Sequence, residues 1–191
     1  MKVFIDLGAC AGDSIKLFRA GKIVKRDDLS EFKVIGFEAA PWCRKPEIIN
    51  KAVGTYDGKV KLAFNKSRRL ASTIESDNSL FTNGIKPFHP KRPTPRPNNV
   101  QIREVEIIDF SKWLKDNFTK DDYIILKLDI EGTEFPILEK MIKDNTLELI
   151  NEVFCEFHSF HLGEEYKLKE EFIKSKFKEL GIKFIDWELY D

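Results

Sequence analysis

Residues 123–134 read YIILKLDIEGTE, and this stretch decides the predicted fold of the chain. Its apolar part, 123–130, is predicted to be a buried strand that ends at a Glu-Gly pair. An apolar pattern at helical spacing follows over 135–142, with Pro136 in the first turn, where a missing N–H is tolerated. A strand that leads directly into a helix is typical of parallel α/β sheets.

The same alternation extends over the rest of the chain. We expect Asp57-Gly58 to form a turn between two strands, and Ser111 to cap the helix predicted at 110–118. The order predicts one α/β domain over residues 1–191, with a mostly parallel sheet and helices on both faces. Further strands are predicted at 2–7, 33–37, 49–53, 59–64, 101–108, 152–157 and 182–189, and further helices at 13–19 and 166–180.

Composition and charge argue against several classes of protein. The 191 residues include 32 basic and 32 acidic side chains, so bulk electrostatic binding of nucleic acid is not expected. The three cysteines form no CxxC pair, which argues against a zinc site or a disulfide framework and favours a cytoplasmic protein. Because Asp6 interrupts the apolar N-terminal run and no other run is long enough, we expect neither a signal peptide nor a membrane span.

A glycine-rich turn, DLGACAG, lies between the first predicted strand and the first helix. Glycines let the backbone approach a ligand closely, and the following helix N-terminus offers N–H donors. Cys10 stands where a GxGxxG motif needs its middle glycine, so an NAD-dependent enzyme is disfavoured. A turn with Asp6, Gly8 and Gly12, and with Ala9 and Cys10 between the glycines, suits a cofactor that lacks a pyrophosphate, and these five residues are predicted to bind it. The alternative is a tight turn that binds no ligand.

Glu38 follows the second predicted strand, KVIGF. In α/β folds of this type, an acid at the end of the second strand accepts hydrogen bonds from ribose hydroxyls. Its separation from the glycine turn is close to that expected for such an acid. We therefore predict that Glu38 binds the ribose of the cofactor, and the alternative is a carboxylate that faces solvent.

Polar side chains interrupt two predicted strands near their carboxyl ends. Strand alternation puts Lys127, Asp129 and Glu131 on one side, although a buried parallel strand is normally apolar on both sides. The next strand, VFCEFHSF, likewise carries Glu156 and His158 on one side. If the two strands are neighbours, these groups converge where open α/β sheets bind their ligands. A structural salt bridge between Lys127 and a carboxylate is the alternative interpretation.

The same groups could hold a metal ion. Oxygen and nitrogen ligands suit Mg²⁺ or Mn²⁺, and the candidate ligands are Asp129, Glu131, Glu156, His158 and His161. The two histidines lack the HExxH spacing of a zinc protease. We expect catalysis without a metal, and a divalent ion held by Asp129, Glu156 and His158 is the alternative.

A proline-rich basic segment at 83–99, NGIKPFHPKRPTPRPNN, interrupts the pattern. Its prolines cannot donate helix or ladder hydrogen bonds, so a long extended loop is predicted. Long loops inside compact domains often cover or bind ligands. The candidate substrate-binding residues are Lys91, Arg92 and Arg96 in this loop, together with Glu131 and His161.

The chain resembles the FkbM family of methyltransferases. The KLDIEGTE block is the most specific part of the resemblance, whereas DLGACAG would fit any class I methyltransferase. The proline-rich loop is not part of it. The matching segments follow the family's order over most of the chain and read FIDLGACAGDS, VIGFEAAP, AVGTYDGKVKL, VEIIDFSKWL, YIILKLDIEGTEFPIL and VFCEFH.

The resemblance implies a Rossmann-like sheet of about seven strands, or a trimmed form of it, and S-adenosylmethionine as the cofactor. It also implies methyl transfer to a hydroxyl, typically of a sugar or a small metabolite. Carried over by position, Asp6, Gly8 and Gly12 would line the methionine part of the cofactor. Glu38 would bind the ribose, and Asp129 would lie beside the reacting centre.

A hydroxyl acceptor must lose its proton as it attacks, so a nearby base helps the reaction. We predict that His158 or Asp129 is that base and that Glu156 orients it, with Lys127 as a further member of the catalytic cluster. Two alternatives stay open. One is an RNA ribose 2′-O-methyltransferase whose basic loop grips phosphates, and the other is a non-catalytic cofactor-binding domain.

Overall fold

The computed structural model describes residues 1–43, 45–65, 68–75, 100–130 and 132–187. None of the described helices combines the length and apolar character that a membrane span needs.

The strands are β1 (Lys2–Leu7), β2 (Phe32–Phe37), β3 (Ile48–Ile49), β4 (Ala52–Gly54), β5 (Gly58–Asn65), β6 (Arg68–Glu75), β7 (Val100–Asp109), β8 (Tyr123–Leu128), β9 (Glu152–Cys155) and β10 (Lys183–Asp186). The α-helices are α1 (Asp13–Arg19), α2 (Phe110–Asn117), α3 (Glu134–Lys143), α4 (Ser159–Leu162) and α5 (Glu164–Glu179), and short 3₁₀ helices span Leu29–Glu31 and Leu147–Leu149.

Six strands form the main sheet in the order β10-β9-β8-β1-β2-β3. Every pairing between neighbours is parallel, which confirms the predicted mostly parallel sheet. Within the described residues this sheet has six strands, whereas the resemblance implies about seven or a trimmed form. β10 covers the middle of the strand predicted at 182–189, whose last two residues lie outside the described ranges.

Helices cover both faces of this sheet, as predicted. On β1, the side chains of Val3, Ile5 and Leu7 belong to an apolar cluster that also contains residues of α2, α3 and α5. Phe4 points to the opposite face and stacks on Phe18 of α1, with ring centroids 4.1 Å apart. Full burial of each of these large apolar side chains stabilises the fold by about 1.5–3 kcal/mol. The alternating pattern of β1 therefore attaches helices to both sides of the central strand.

The two strands with polar ends are shorter than predicted. β8 and β9 end at Leu128 and Cys155, in each case two residues before the predicted end. The ladder stops there because the neighbouring β1 ends at Leu7, which pairs with Leu128. Asp129 and His158 therefore lie on loops that follow the strands and not on the strands themselves.

A second sheet has the order β4-β7-β5-β6. β4 pairs parallel with β7, whereas β5 runs antiparallel to both β7 and β6. The segment with the predicted turn at 57–58 joins β4 to β5, but these strands do not pair, because β7 lies between them. Asp57 accepts a hydrogen bond from the Asp109 N–H at 3.0 Å and pairs with Lys112 at 2.8 Å. These contacts tie the segment to the start of α2.

Asp109 caps α2, so the prediction that Ser111 caps this helix is wrong. The Asp109 carboxylate accepts a hydrogen bond from the Lys112 N–H at 3.1 Å. Ser111 already lies inside the helix, where its buried hydroxyl bonds to that of Thr146 at 2.8 Å. The cap position precedes the first helical residue, and an aspartate there satisfies an N–H that would otherwise lack a partner.

Candidate active site

The carboxyl ends of four neighbouring strands, β2, β1, β8 and β9, meet at one edge of the main sheet. Open α/β sheets bind their ligands at this edge, in the crevice between the loops. Each of the four loops contributes a candidate residue, namely Glu38, Gly8, Asp129 and His158. The loops after these strands therefore define the candidate active site.

The glycine loop after β1 packs tightly against the loop after β8. Gly8 has a φ of +84°, and the N–H groups of Gly8 and Ala9 both donate to the Phe37 carbonyl at 3.0 Å. A Cβ added at Gly8 would lie 2.0 Å from the carbonyl oxygen of Asp129, so only glycine fits. Gly12, with a φ of +76°, immediately precedes α1. The close approach of these two loops therefore explains why a glycine is needed at position 8.

Gly8→Ala is expected to lower the free energy of unfolding by more than Gly181→Ala does. Alanine at a left-handed position costs about 1–2 kcal/mol, and this part is common to both variants. The contact with Asp129 adds a further ~1–3 kcal/mol for overpacking at Gly8 alone. Gly181 is the matched control, because its φ is +69° and nothing lies within 4 Å of an added Cβ. Urea denaturation measures the difference, and equal losses would contradict the steric explanation.

Glu38 joins the loops after β1 and β2. It is 8% exposed, which excludes a carboxylate that simply faces solvent. Its Oε2 accepts the Cys10 N–H at 2.8 Å, and its Oε1 accepts the Ala40 N–H at 2.7 Å. Burial raises the pKa of Glu38, and these two backbone N–H groups oppose the rise by favouring the carboxylate. Each oxygen has a second lone pair with which it can accept a ligand hydroxyl.

Cys10 contributes its backbone to the site. Its φ of +43° is unusual for a residue with a side chain, and this conformation directs its N–H to Glu38. Burial, and then the charge of Glu38, raises the pKa of the Cys10 thiol, and burial likewise raises the pKa of Cys43 to about 11. Thiols with raised pKa values stay protonated at neutral pH and are poor nucleophiles. A thiol-based mechanism is therefore not supported at this loop.

Lys127 is buried beneath the site between two carboxylates. Its Nζ lies 3.2 Å from Asp6 Oδ1 and 3.3 Å from Asp129 Oδ2, and it donates to the Gly8 carbonyl at 3.3 Å. The other oxygen of Asp6 accepts a hydrogen bond from the Ser14 hydroxyl. Burial lowers the pKa of Lys127, but attraction by Asp6 and then by Asp129 outweighs it, so the pKa is raised overall. The salt bridge considered from the sequence is therefore present, and a charged Lys127 cannot act as a base.

His158 is 5% exposed and lies between two other carboxylates. Its Nδ1 is 3.1 Å from Oε1 of Glu134, whereas its Nε2 is 3.6 Å from Oε1 of Glu156. Glu134 is fully buried, and its Oε1 also accepts the Ile130 N–H at 2.8 Å. The contact of hydrogen-bond length thus comes from Glu134, whereas the sequence had suggested Glu156 as the group that orients the base.

Asp129, Glu156 and His158 come together as the predicted strand pairing implied. One ligand atom from each lies within 4.8 Å of the other two. Carboxylate and imidazole ligands suit a divalent ion such as Mn²⁺, so this group could hold one. However, Asp129 already pairs with the ammonium of Lys127, whose charge would repel a second cation at that carboxylate. The arrangement is therefore better suited to hydrogen bonding with hydroxyl groups.

Glu134 is the candidate residue that the sequence analysis missed. It is the last acid of DIEGTE and the first residue of α3, a position where acids are common because of the helix dipole. Its proximity to His158 depends on how two loops meet, so the local pattern did not single it out. His161 lies in α4, but its side chain is outside the described part of the structure. Four other candidates lie wholly outside the described residues: Glu131, Lys91, Arg92 and Arg96.

Comparison with known protein families gives one match. The family model described as Methyltransferase FkbM domain matches residues 6–184. The matched region begins at Asp6 and includes every candidate residue described above. Neither the curated proteins nor the solved structures gave a match.

Proposed function

Because the chain belongs to the FkbM methyltransferase family, we propose that it transfers a methyl group from S-adenosylmethionine to a hydroxyl of a sugar or small metabolite. The observation that carries this proposal is the placement of two kinds of group at one edge of the sheet. A buried carboxylate, Glu38, is held between two loops at the position where α/β folds bind ribose. A buried histidine with carboxylates at both ring nitrogens lies at the same edge.

The residues around the glycine loop fit this cofactor. S-adenosylmethionine would supply an electrophilic methyl group on a positively charged sulfonium. Glu38 would accept hydrogen bonds from the ribose, and the backbone of Gly8 and Gly12 would approach the methionine part.

His158 is the better candidate for the base. Asp129 is already paired with the ammonium of Lys127, 3.3 Å from its Oδ2. In the proposed reaction the acceptor oxygen binds near Asp129 and Glu156, and its proton moves to Nε2 of His158. Holding the acceptor in line with the methyl group supplies part of the rate enhancement, and proton removal supplies another part.

Glu38→Ala is expected to weaken binding of S-adenosylhomocysteine by about 10- to 100-fold, because a hydrogen bond to a charged group contributes about 1.5–3 kcal/mol. Glu31→Ala is the matched control. Glu31 precedes β2 at its other end and is exposed, and its carboxylate pairs with Lys2. Isothermal titration measures both variants, and a thermal melt of each checks the fold.

The same titration tests the proposed cofactor. Wild-type protein should bind S-adenosylhomocysteine and should not bind NAD. If it binds neither, or prefers NAD, the proposal is wrong. An acceptor screen would follow, with sugars first.

Two other functions have less support. RNA ribose methylation rested on Lys91, Arg92 and Arg96, which lie outside the described residues. A non-catalytic cofactor-binding domain would not explain the buried Glu134–His158 contact. Salt-sensitive RNA binding that is lost on neutralising those three basic residues would favour the first of these functions.

A further inference from the structure

The surroundings of Glu134 differ from those expected of a carboxylate with only a structural role. It is fully buried, and its Oε2 has no hydrogen-bond partner among the described residues. Its Oε1 binds two groups, the Ile130 N–H at 2.8 Å and Nδ1 of His158 at 3.1 Å. Burial of a carboxylate costs free energy unless the carboxylate is well paired and hydrogen-bonded. Glu134 is the first residue of α3, a position where acidic side chains interact favourably with the helix dipole.

The contact with Glu134 determines which nitrogen of His158 carries the proton. A carboxylate only accepts hydrogen bonds, so a neutral imidazole beside it must donate from Nδ1. The lone pair is then on Nε2. That nitrogen faces the side of the site where Glu156 lies, 3.6 Å from Oε1 of that carboxylate.

We propose that Glu134 is a positioning residue, which holds His158 in the tautomer whose Nε2 can accept the proton of the methyl acceptor. This inference rests on the proposed methyltransferase function. In the reaction, the acceptor O–H bond would break and its proton would bind Nε2. The oxygen would use the electron pair for a new bond to the methyl carbon, and the electrons of the broken carbon–sulfur bond would stay on sulfur, which leaves S-adenosylhomocysteine. The resulting imidazolium lies between Glu134 and Glu156, and both carboxylates stabilise its charge. The buried acid of a Ser-His-Asp triad acts on its histidine by the same physical principle.

The rival interpretation is that Glu134 only ties the loop after β8 to the loop after β9. A purely structural tie made by this hydrogen bond would fix the same tautomer and affect stability, but its loss would leave kcat unchanged in protein that still binds S-adenosylhomocysteine. The tautomer can be measured without cofactor or acceptor, since the ¹⁵N chemical shifts of a histidine ring distinguish a protonated nitrogen from one with a lone pair.

The experiment compares ¹⁵N spectra of His158 in wild-type protein and in Glu134→Ala and Glu134→Gln variants. Wild-type protein should show a protonated Nδ1 and a lone pair on Nε2. Glu134→Ala should shift the ring towards the other tautomer and lower kcat by about 10- to 100-fold, part of the ~10²–10⁴ that a positioned base contributes. Glu134→Gln keeps an oxygen for Ile130 and His158, so it should retain the tautomer and lose less activity.

Glu170→Ala is the matched control. The Glu170 carboxylate binds the hydroxyl of Ser159, the neighbour of His158, and pairs with Lys174, so it also ties this loop to a helix. It should leave the His158 spectrum and kcat unchanged. If Glu134→Ala fails to fold, the wild-type and Glu134→Gln spectra still test the tautomer.

Three outcomes would overturn the proposal. The first is a lone pair on Nδ1 in wild-type protein, and the second is an unchanged ring spectrum in Glu134→Ala. The third is an unchanged kcat in Glu134→Ala when that protein binds S-adenosylhomocysteine normally. Absence of S-adenosylhomocysteine binding in wild-type protein would instead overturn the proposed function, because the tautomer measurement does not depend on the cofactor.

Discussion

Replacing His158 with alanine is expected to lower kcat by about 10²- to 10⁴-fold, which is the usual contribution of a positioned general base. The affinity for S-adenosylhomocysteine should not change, because the groups proposed to hold its ribose and methionine parts lie on β1 and on the loops after β1 and β2. Isothermal titration and single-turnover kinetics measure the two effects separately. Asp129→Asn should also reduce turnover, since it removes a carboxylate beside the reacting centre.

Ser159→Ala is the control for the His158 variant. Ser159 is the next residue along the chain and is also buried, and its hydroxyl binds Glu170. Its loss should cost about 1 kcal/mol of stability and leave turnover intact. Full activity of both His158→Ala and Asp129→Asn would mean that the base has been assigned wrongly.

A chelator separates the role of His158 as base from that of a metal ligand. With EDTA present, wild-type turnover is expected to persist, because Lys127 already neutralises part of the charge of Asp129. Loss of activity that Mg²⁺ or Mn²⁺ restores would contradict this expectation. In that case Asp129, Glu156 and His158 would act as ligands, and the effect of His158→Ala would reflect a lost ion.

Lys127→Met is expected to lower the free energy of unfolding by about 3–5 kcal/mol, because it leaves a buried charge without its partner. Lys127 is 2% exposed and Asp6 is fully buried, with 3.2 Å between Nζ and Oδ1. Urea denaturation at neutral pH measures the loss. Lys33→Met in β2 is the control, because Lys33 is exposed and such changes stay within about 0.5 kcal/mol.

The double variant Asp6→Asn/Lys127→Met tests the physical cause. If the loss in Lys127→Met comes from an unpaired carboxylate, neutralising Asp6 should restore part of the stability. Asparagine can still accept a hydrogen bond from Ser14, so the local contacts are largely kept. A double variant that is less stable than Lys127→Met would show that packing, and not charge, dominates at this position.

The ion pair also predicts a dependence on pH. The pKa of Lys127 is raised in the folded protein above its ordinary value of 10.5. A group of this kind contributes stability that is fully present below the unfolded pKa and is lost as the pH rises through the folded pKa. The wild-type protein should therefore lose stability in strongly alkaline solution, and the stability difference from Lys127→Met should shrink there. A difference that stays constant with pH would contradict the ion-pair explanation.

The sequence by itself determined the architecture and the location of the site. Alternating strands and helices predicted the parallel sheet, because hydrophobic periodicity is a local property of the chain. Polar groups such as Lys127 and Asp129 within an otherwise apolar predicted strand marked the edge of the sheet where the candidate residues meet, since burying them without a partner is costly. Glu38 was identified as a candidate because it follows the second predicted strand. The cap of α2 is a local feature as well, because Asp109 directly precedes the first helical residue, whereas Ser111 lies inside the helix.

Only the tertiary structure decided which side chains act on each other within the site. Glu134 is the first residue of α3 and His158 lies 24 positions later, in the loop after β9, so their contact depends on the order and register of β8 and β9. Gly8 and Asp129 approach each other because β1 and β8 end at the same level. A hydrophobic pattern specifies which face of an element is buried, but loop contacts of a few ångströms depend on how several elements pack at once. The sequence therefore determined at which edge of the sheet the candidate residues lie, and the packing of loops decided which carboxylate lies within hydrogen-bond distance of His158.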